Sequence, residues 1–369
     1  MNIVINAVLY HEKPRGVGRY FNNLLPELAK IDHENEYYIF YGKWMDAYEF
    51  LKVEQSNIHF VCLDIPRNKI VRNLYLAIVL PLKIKKYKPD VYHQIDTSPI
   101  LLKTCPTIST IHDLAEFEVP EKYSKFQSMS RKLYVRGQMK LSDLIITVSE
   151  YSKNDIIRRF HLPKEEVIVV PESSSSNLQP SKIKPEHEKY ILFVGEIERT
   201  KNLGIIIEAF EMLNEEVKDT FSIHVVGRKG NDYENCKKVI ERTGLEDKVI
   251  FHDYVDDEEL LALYEKAYVF VFASLFEGFG LPVLEAMTLG VPVICSNATS
   301  IPEVGGYAVL TFNPKDKMEL KGKLEQIISC PELREKLIES GLQRAAEFTP
   351  RVCAEKTLEV YEKLRIRNE

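Results

Sequence analysis

The sequence predicts an α/β protein made of two doubly wound parallel-sheet domains, and three observations support that fold class. Short runs rich in β-branched and aromatic residues alternate with helical stretches along the whole chain, which is the pattern of parallel sheets covered by helices. The length of 369 residues suits two domains of ~100–200 residues each. A polar, proline-containing segment at residues 171–188 lies between the two halves, as expected of a linker.

These observations divide the chain into four parts. Residues 1–170 are predicted to form the first domain, residues 171–188 the linker and residues 189–350 the second domain. The remaining residues, 351–369, are predicted to form a terminal helix. Because no strand-like run accompanies this helix, it is free to cross back and pack on the first domain.

Apolar runs rich in β-branched residues are expected to form the strands of the first domain, since such residues favour extended backbone. Longer mixed stretches between them are expected to form helices. The strands are predicted at residues 3–9, 37–41, 58–63, 90–93, 107–111, 144–148 and 167–170, with helices including residues 20–30, 68–88 and 123–140.

The second domain repeats the alternation of strands and helices. Because ligands of open α/β sheets bind at the carboxyl ends of strands, polar residues that follow its strands are candidates for a site. Strands are predicted at residues 190–195, 221–226, 249–252, 269–272 and 291–295. Helices are predicted at residues 203–213, 235–243, 258–266, 283–289, 317–328 and 332–348, with the terminal helix at about 351–365.

Composition excludes several classes of protein. A net charge of −6 argues against a nucleic-acid binder, whose domain normally carries a basic excess. The six cysteines form no Cys-x-x-Cys pair, so we expect reduced thiols in a cytoplasmic protein rather than a zinc site or disulfides. The longest apolar run, residues 74–82, is far below the ~20 residues of a membrane span. We therefore expect a soluble protein that at most rests on a membrane.

The segment from Ser274 to Met287 is the strongest candidate for a ligand site. It follows an apolar strand and opens a helix whose first turn contains Pro282. Gly278 and Gly280 let the backbone approach a ligand, and the amides at a helix start favour negative charge. Two carboxylates lie in it eight positions apart, Glu277 and Glu285, which suits a ligand with phosphates and hydroxyls such as a nucleotide sugar. The alternative is a plain strand–turn–helix junction with Glu285 on a solvated face.

This segment resembles the Glu–seven residues–Glu signature of the retaining GT-B glycosyltransferases of family 4, and the similarity continues through residues 290–304. The resemblance implies two Rossmann-like domains, with the terminal helix crossing back to the first. It also implies that Glu277 contacts the donor sugar and Glu285 binds the ribose. The residues between them that would line the donor site are Gly278, Phe279, Gly280 and Leu281.

Two further segments are similar to phosphate-binding turns of the family. Arg199 and Lys201 lie where a strand end runs into a helix, and in the family a basic pair at this turn neutralises the donor diphosphate. Thr200 stands where relatives often have Arg, so Lys201 is the more direct match. Gly16 and Gly18 lie between the first strand and the first helix and resemble the N-terminal glycine loop, whose amides reach the donor phosphates.

A histidine at a strand end completes the candidate site. His112 ends an apolar strand and should emerge at the carboxyl edge of the first sheet. A lone histidine at such a place is more often structural than catalytic. The segment from Ile111 to Leu114, however, is similar to the family's acceptor-side motif, in which the histidine lines the donor-sugar pocket. One departure from the family is Pro171-Glu172-Ser173, where relatives often carry Pro-Asn-Gly.

The resemblance, closest to bacterial mannosyltransferases of surface polysaccharides, implies a retaining hexosyltransferase that uses GDP-mannose. Glu277, His112 and Lys201 would serve the reaction directly. No metal is expected, because the sequence lacks the Asp-x-Asp pair of the other main glycosyltransferase architecture. A related nucleotide-sugar epimerase, a dehydrogenase with an incomplete glycine fingerprint, and a binding protein that has lost catalysis stay open as alternatives.

The acceptor is predicted only as a class, a glycan or a lipid-linked sugar. Residues 67–88 carry seven basic and no acidic residues around an apolar middle. Such a segment can contact an anionic membrane from the cytoplasmic side, or it can be a buried helix with a solvated basic end.

Overall fold

The structure, a computed structural model, describes residues 1–8, 16–45, 48–66, 68–175, 178, 187–253 and 255–368, without the side chains of residues 121 and 368. It divides into two compact units. The first contains Met1–Ser175 and Thr349–Glu369, and the second contains Ser176–Phe348. Most of the predicted linker, residues 171–188, lies outside the described residues.

In the first unit, the described residues form a sheet of seven parallel strands in the order β3-β2-β1-β4-β5-β6-β7. Strand β1 pairs with β2 on one side and with β4 on the other. The strand order therefore reverses between β1 and β4, the topological switch point at which such sheets bind ligands. The strands are β1 (Asn2–Asn6), β2 (Glu36–Gly42), β3 (Ile58–Leu63), β4 (Val91–Gln94), β5 (Thr107–Ile111), β6 (Leu144–Thr147) and β7 (Val167–Val169).

The chain's last helix packs on the first unit. Tyr361 and Leu364 of this helix are buried in the same apolar core as Phe21 and Leu24 of the first helix. The last helix thereby covers one face of the first sheet although more than 170 residues separate it from β7. The helices are α1 (Gly16–Ile31), α2 (Lys69–Leu74), α3 (Leu80–Ile84), α4 (Ala115–Glu118), α5 (Lys125–Leu141), α6 (Glu150–Phe160) and, at the end of the chain, α15 (Pro350–Asn368).

The predicted helix at residues 68–88 is interrupted in the structure. A π-helical turn, Tyr75–Val79, separates α2 from α3, and a 3₁₀ turn, Lys85–Tyr87, follows α3. Pro81 has no N–H and its ring would clash with the carbonyl of residue 77 in a regular α-helix. The wider turn relieves this clash, and the freed carbonyl of Ala77 accepts a hydrogen bond from the Leu101 amide at 3.3 Å.

In the second unit, six parallel strands within the described part of the chain form a sheet in the order β10-β9-β8-β11-β12-β13. Here the order reverses between β8 and β11, which pair directly. The strands are β8 (Glu188–Val194), β9 (Ser222–Val226), β10 (Val249–Phe251), β11 (Ala267–Phe272), β12 (Val293–Ser296) and β13 (Leu310–Phe312).

Helices cover both faces of the second sheet. The core contains Ile206 and Phe210 of the first of these helices and Val269 and Val271 of β11. Strand β11 is buried along nearly its whole length, as expected of a central parallel strand. The helices are α7 (Leu203–Glu211), α8 (Glu215–Thr220), α9 (Tyr233–Thr243), α10 (Asp257–Lys266), α11 (Leu281–Thr288), α12 (Ile301–Gly305), α13 (Lys317–Ser329) and α14 (Pro331–Ala345).

The state of the cysteines and the hydropathy of the helices complete the description of the fold. All six cysteines are free, and Cys236, Cys295 and Cys353 are buried. In the described residues, no helix combines the length and the apolar composition that a membrane crossing requires.

Candidate functional site

The turns after β8 and β9 approach each other closely, and glycine is required at the second of them. Gly195 follows β8 with φ +155°, and Gly227 follows β9 with φ +147°. A Cβ atom at Gly227 would lie 2.0 Å from the Gly195 carbonyl oxygen, so no side chain fits there. The chain then forms a 3₁₀ turn, Arg199–Lys201, and enters α7 through Asn202.

Asn202 connects this turn to its neighbour in the sheet. The residue adopts a left-handed conformation, φ +57°, which asparagine tolerates better than most residues. Its side-chain amide donates to the carbonyl oxygens of Ala273 at 3.2 Å and Pro314 at 2.8 Å. The turn after β8 is therefore tied to the end of β11 across the switch point of the second sheet.

Two of the predicted site residues meet at this switch point. The Lys201 Nζ atom lies 2.5 Å from Oε1 of Glu277, and the ammonium group lies 5.3 Å from the centre of the Phe272 ring. Both side chains are less than one-fifth exposed, Lys201 at 18% and Glu277 at 17%. Because solvent screens such a pair only partly, its electrostatic interaction is stronger than that of a surface ion pair.

Hydroxyl groups hold the loop that carries Glu277. The Ser274 hydroxyl donates to Glu277 Oε1 at 2.5 Å, and the Glu277 amide donates to the Thr299 hydroxyl at 3.1 Å. Ser300 donates to the backbone carbonyls of Glu277 and Phe279 at 3.0 and 2.9 Å. Since Ser274 and Ser300 are fully buried, these bonds fix the loop and aim the carboxylate.

The loop ends at the start of α11. Gly280 has φ +121°, a backbone conformation that other residues rarely adopt. Helix α11 begins at Leu281 with no side chain capping its first turn. Pro282 has no N–H and the Val283 amide donates to the Gly280 carbonyl at 3.0 Å, so it is the helix dipole that favours an anion at this end. Gly278 and Phe279 are buried beside it.

Glu285 lies in the second turn of α11 and is only 7% exposed. Its Oε2 atom accepts a hydrogen bond from the Tyr264 hydroxyl at 3.3 Å. The sequence left open a solvated position for this residue, and that alternative is wrong. A buried carboxylate with a hydroxyl partner can accept further hydrogen bonds from a ligand, but its role toward ribose stays a prediction.

Arg199 differs from Lys201 in its surroundings. Its side chain is 66% exposed, and its Nε atom lies 3.9 Å from Oδ1 of Asp232, just before α9. The structure thus pairs Arg199 with Asp232 and Lys201 with Glu277. Among the described residues, no group of three or more His, Cys, Asp or Glu side chains is arranged to hold a metal ion.

The predicted residues of the first unit follow β1 and β5. Gly16 and Gly18 were expected in a loop before the first helix, which was predicted to begin at residue 20. They lie instead in the first turn of α1. The expected loop position is therefore wrong, although the first-turn amides of a helix also lack intrahelical partners and can bind an anion.

His112 directly follows β5 and is held on both ring nitrogens. Nδ1 lies 2.7 Å from Oε1 of Glu172, and Nε2 lies 3.1 Å from the carbonyl oxygen of Ile95. The edge of the Tyr20 ring packs against it at 5.1 Å. Burial disfavours the charged imidazole, but the hydrogen bond and the charge of Glu172 outweigh burial and raise the pKa of His112 above its usual value.

A second histidine lies behind the first and is entirely enclosed. His93 contacts the Tyr361 hydroxyl through Nδ1 at 2.7 Å and the Thr110 hydroxyl through Nε2 at 2.8 Å. Burial, with a smaller contribution from His112, lowers the pKa of His93 to about 3. His93 is therefore neutral at physiological pH and ties α15 to β4.

Glu172 was not among the residues predicted for the site. Its side chain is 8% exposed and bonded to His112, although 60 positions separate the two residues in sequence. The available signal was the departure from the family at this position, Glu where relatives often have Asn. A carboxylate in place of a neutral amide changes the charge next to His112.

Two known families match this chain, one over each half. Residues 14–172 match the family described as glycosyltransferase family 4. Residues 174–344 match the family described as glycosyl transferases group 1. The second match includes Lys201, Glu277 and Glu285, and the first includes His112.

Three individual proteins illustrate the similarity. O-antigen chain mannosyltransferase B of Escherichia coli is 29% identical, with 95% of this chain and 96% of that protein covered. O-antigen chain mannosyltransferase RfbU of Salmonella typhimurium is 30% identical over 70% of this chain and 69% of its own length. The crystal structure of Anabaena HepE in complex with UDP and glucose has a TM-score of 0.74 at 17% identity, covering 98% of this chain and all of that one. At this identity the last comparison concerns the fold, the GT-B architecture.

Proposed function

This chain belongs to the glycosyltransferase family whose group 1 and family 4 domains it matches, and we propose that it transfers mannose from GDP-mannose. Mannose as the transferred sugar is supported by the name of the Escherichia coli relative, which spans nearly the whole chain. The observation that carries the proposal is the Lys201–Glu277 pair at the switch point of the second sheet, next to the start of α11.

The donor would be held at one end by groups that favour negative charge and at the other by carboxylates that accept hydrogen bonds. Lys201 and the N-terminal end of the α11 dipole would bind the diphosphate, because both favour negative charge. Glu277, fixed by Ser274, would accept hydrogen bonds from the hydroxyls of the sugar. Glu285, buried in α11, would accept hydrogen bonds from the hydroxyls of the ribose.

The reaction requires the diphosphate to gain charge as the glycosidic bond breaks. Lys201 and the helix start would offset this charge, and each such preorganised donor contributes roughly 3–4 kcal/mol to transition-state stabilisation. We propose that the transfer needs no metal and retains the anomeric configuration. Glu277 would stabilise the positive charge that develops on the sugar ring, and His112 would contact the sugar.

A transfer assay tests this proposal. Purified protein is incubated with radiolabelled GDP-mannose, a lipid-linked glycan ending in mannose and a chelator, and the linkage of the product is determined by NMR. An α-linked mannose on the acceptor would support the proposal. A changed nucleotide sugar without an acceptor product would favour an epimerase, and tight donor binding without any product would favour a binding protein; either result would overturn it.

The acceptor is proposed to be a glycan carried at an anionic membrane, because an exposed apolar surface with surrounding cations lies on the first unit. The Asn73 side chain of α2 donates to the Tyr134 hydroxyl of α5 at 2.7 Å, so these two helices lie side by side. We call this the α2–α5 surface. Its exposed apolar side chains are Ile70, Val71 and Leu74 of α2 and Phe126, Met129 and Leu133 of α5.

The charge of the α2–α5 surface favours a lipid surface over an ordinary protein partner. Lys69 of α2, Lys83 of α3, and Lys85 and Lys86 of the 3₁₀ turn after it are all exposed, and residues 68–88 contain no acidic side chain. Each basic residue near an anionic membrane contributes about 1 kcal/mol of attraction. Apolar side chains that enter the headgroup region add to it. We therefore propose peripheral binding at the cytoplasmic face of a membrane.

Vesicle flotation tests the membrane contact separately from the chemistry. The protein is expected to float with vesicles containing phosphatidylglycerol and to stay behind with phosphatidylcholine alone. Lys85→Glu with Lys86→Glu should abolish flotation. Lys237→Glu with Lys238→Glu, two exposed lysines on α9, makes the same charge change on the second unit and should leave it unaltered. Equal flotation with both lipids, or equal loss in both double variants, would contradict the proposal.

A further inference from the structure

The pairing of His112 with Glu172 determines how many protons the ring carries. A carbonyl oxygen only accepts hydrogen bonds, so the 3.1 Å contact with Ile95 requires a hydrogen on Nε2. The 2.7 Å contact between Nδ1 and Glu172 requires one more hydrogen between the two atoms. If that proton were absent, a nitrogen lone pair would face a carboxylate at hydrogen-bond distance, which is repulsive.

Other titratable groups around His112 do not supply an alternative partner. Tyr20 packs on it from α1, His93 lies behind it on β4, and Cys353 of α15 lies near Glu172. Burial raises the pKa of Tyr20 well above its usual value. Burial also raises the pKa of Cys353 to about 12. Together with neutral His93, these groups are uncharged at physiological pH.

The remaining charge near the ring is negative. Asp96, after β4, acts on His112 in the same direction as Glu172 and favours the protonated ring. From α6 the Ser152 hydroxyl donates to the backbone carbonyl of His112 at 3.3 Å, which fixes the backbone but adds no charge. Two acidic side chains therefore act on the ring, one of them in direct contact, in a site where water screens little.

We propose that Glu172 is a positioning residue that keeps His112 protonated on both nitrogens, so that the ring acts as a cationic hydrogen-bond donor and not as a base. In the transfer reaction the Nε2–H group would turn from the Ile95 carbonyl to a hydroxyl oxygen of the donor sugar. Such a charge-assisted bond is stronger than one from a neutral ring. The effect on transfer rests on the proposed function, whereas the protonation of the pair does not.

The direct test measures the protonation of His112 in the protein without any nucleotide. The protein is labelled with ¹⁵N-histidine and titrated by NMR, and the His112 signals are assigned by their loss in His112→Asn. We expect His112 to remain doubly protonated above about pH 6.5, where free histidine loses its ring proton. A titration of His112 like that of free histidine would overturn the proposal even without a Glu172 variant.

Glu172→Gln supplies the second arm of the test. Glutamine preserves the size of the side chain and one hydrogen bond but carries no charge, so His112 should lose its proton at lower pH than in the wild type. The matched control is Glu36→Gln, which neutralises the carboxylate of the exposed His59–Glu36 pair, where Nε2 and Oε2 are 2.7 Å apart. The control should leave the His112 titration unchanged.

The pH dependence of transfer separates positioning from a structural role. A donor function is present below the pKa of His112 and is lost as pH rises through it. The high-pH limb of kcat should therefore move to lower pH in Glu172→Gln, with a loss of about tenfold on the alkaline side and little change on the acidic side. A uniform loss at all pH values would indicate a structural role and contradict the proposal. If no variant or wild type transfers mannose, the NMR arm still decides the protonation.

Discussion

At the scale of single residues, variants of Lys201 and Arg199 test which of the two cations binds the donor, the buried Lys201 or the exposed Arg199. Lys201→Ala leaves the Glu277 carboxylate less than one-fifth exposed and without its ammonium partner. It also removes the cation expected beside the diphosphate. We expect kcat/KM for GDP-mannose to fall by about 10²–10³, the cost of removing one preorganised donor.

The matched control is Arg199→Ala, from the same turn. Because this side chain is 66% exposed and 3.9 Å from its partner Asp232, its removal should change kcat/KM by less than about threefold, as for most surface charges. Steady-state kinetics of both variants measure the difference. Equal losses of kcat/KM in the two variants would mean that Lys201 contributes no more than Arg199, and would contradict a specific role for the pair with Glu277.

His93 gives a prediction about pH and stability. The folded protein keeps His93 neutral until about pH 3, whereas the unfolded chain binds a proton near pH 6.5. The unfolded state therefore binds more protons in this window, and stability falls as pH falls through it.

His93→Asn removes that proton uptake. Between about pH 7 and about pH 5, the wild type should lose roughly 2 kcal/mol more of its unfolding free energy than the variant. Urea unfolding followed by the fluorescence of Trp44 measures this, because Trp44 is the only tryptophan in the sequence and packs against the core of the first unit. Equal losses in both proteins would show that His93 is protonated when folded.

At the scale of elements, the start of α11 depends on Gly280. Its φ of +121° makes Gly280→Ala strained, and we expect a loss of about 1–3 kcal/mol of stability together with weaker GDP-mannose binding. Gly204→Ala, in α7, is the control, because a Cβ there meets nothing within 4 Å and helical backbone favours alanine by up to about 1 kcal/mol. Thermal unfolding followed by circular dichroism should give a lower midpoint for Gly280→Ala than for Gly204→Ala. Equal midpoints would contradict the prediction that alanine is strained at position 280.

The bounds of the strands and helices show which features of the fold the sequence patterns predict and which they do not. The strands at residues 58–63 and 107–111 coincide with β3 and β5. β5 is a mostly β-branched run that is buried along its whole length, whereas β3 is a partly exposed edge strand. β13, three residues long, was not predicted. The π turn in residues 68–88 was also missed, since it depends on where the carbonyl displaced by Pro81 finds a partner in the fold.

As with the fold, only part of the candidate site was predictable from the sequence. Glu277 and Glu285 were identified from a local segment. The structure adds that Glu277 pairs with Lys201 and that the buried Glu285 accepts a hydrogen bond from Tyr264. The His112–Glu172 contact was not predicted, because 60 residues separate its members. Contacts of this kind arise from the order of strands in the sheet, which alternation alone does not determine.

At the scale of the whole molecule, the fold class followed from alternation, length and the polar segment near residue 171. The structure assigns Thr349–Glu369 to the first unit, and the apolar contacts of α15 with α1 account for that. Each unit thus has its own sheet, core and switch point, and the residues predicted for the donor divide between them. Direct binding of the donor is therefore the central claim to test.

The most direct measurement is a calorimetric titration of the wild type and of Glu285→Gln with GDP-mannose, without added metal. UDP-glucose and NAD are titrated for comparison. We expect saturable binding of GDP-mannose by the wild type and about 10- to 100-fold weaker binding by the variant, because a charged acceptor is lost from a buried position. Binding of NAD instead, or equal affinity of both proteins for GDP-mannose, would contradict the assignment of the donor site to Glu285 and its neighbours.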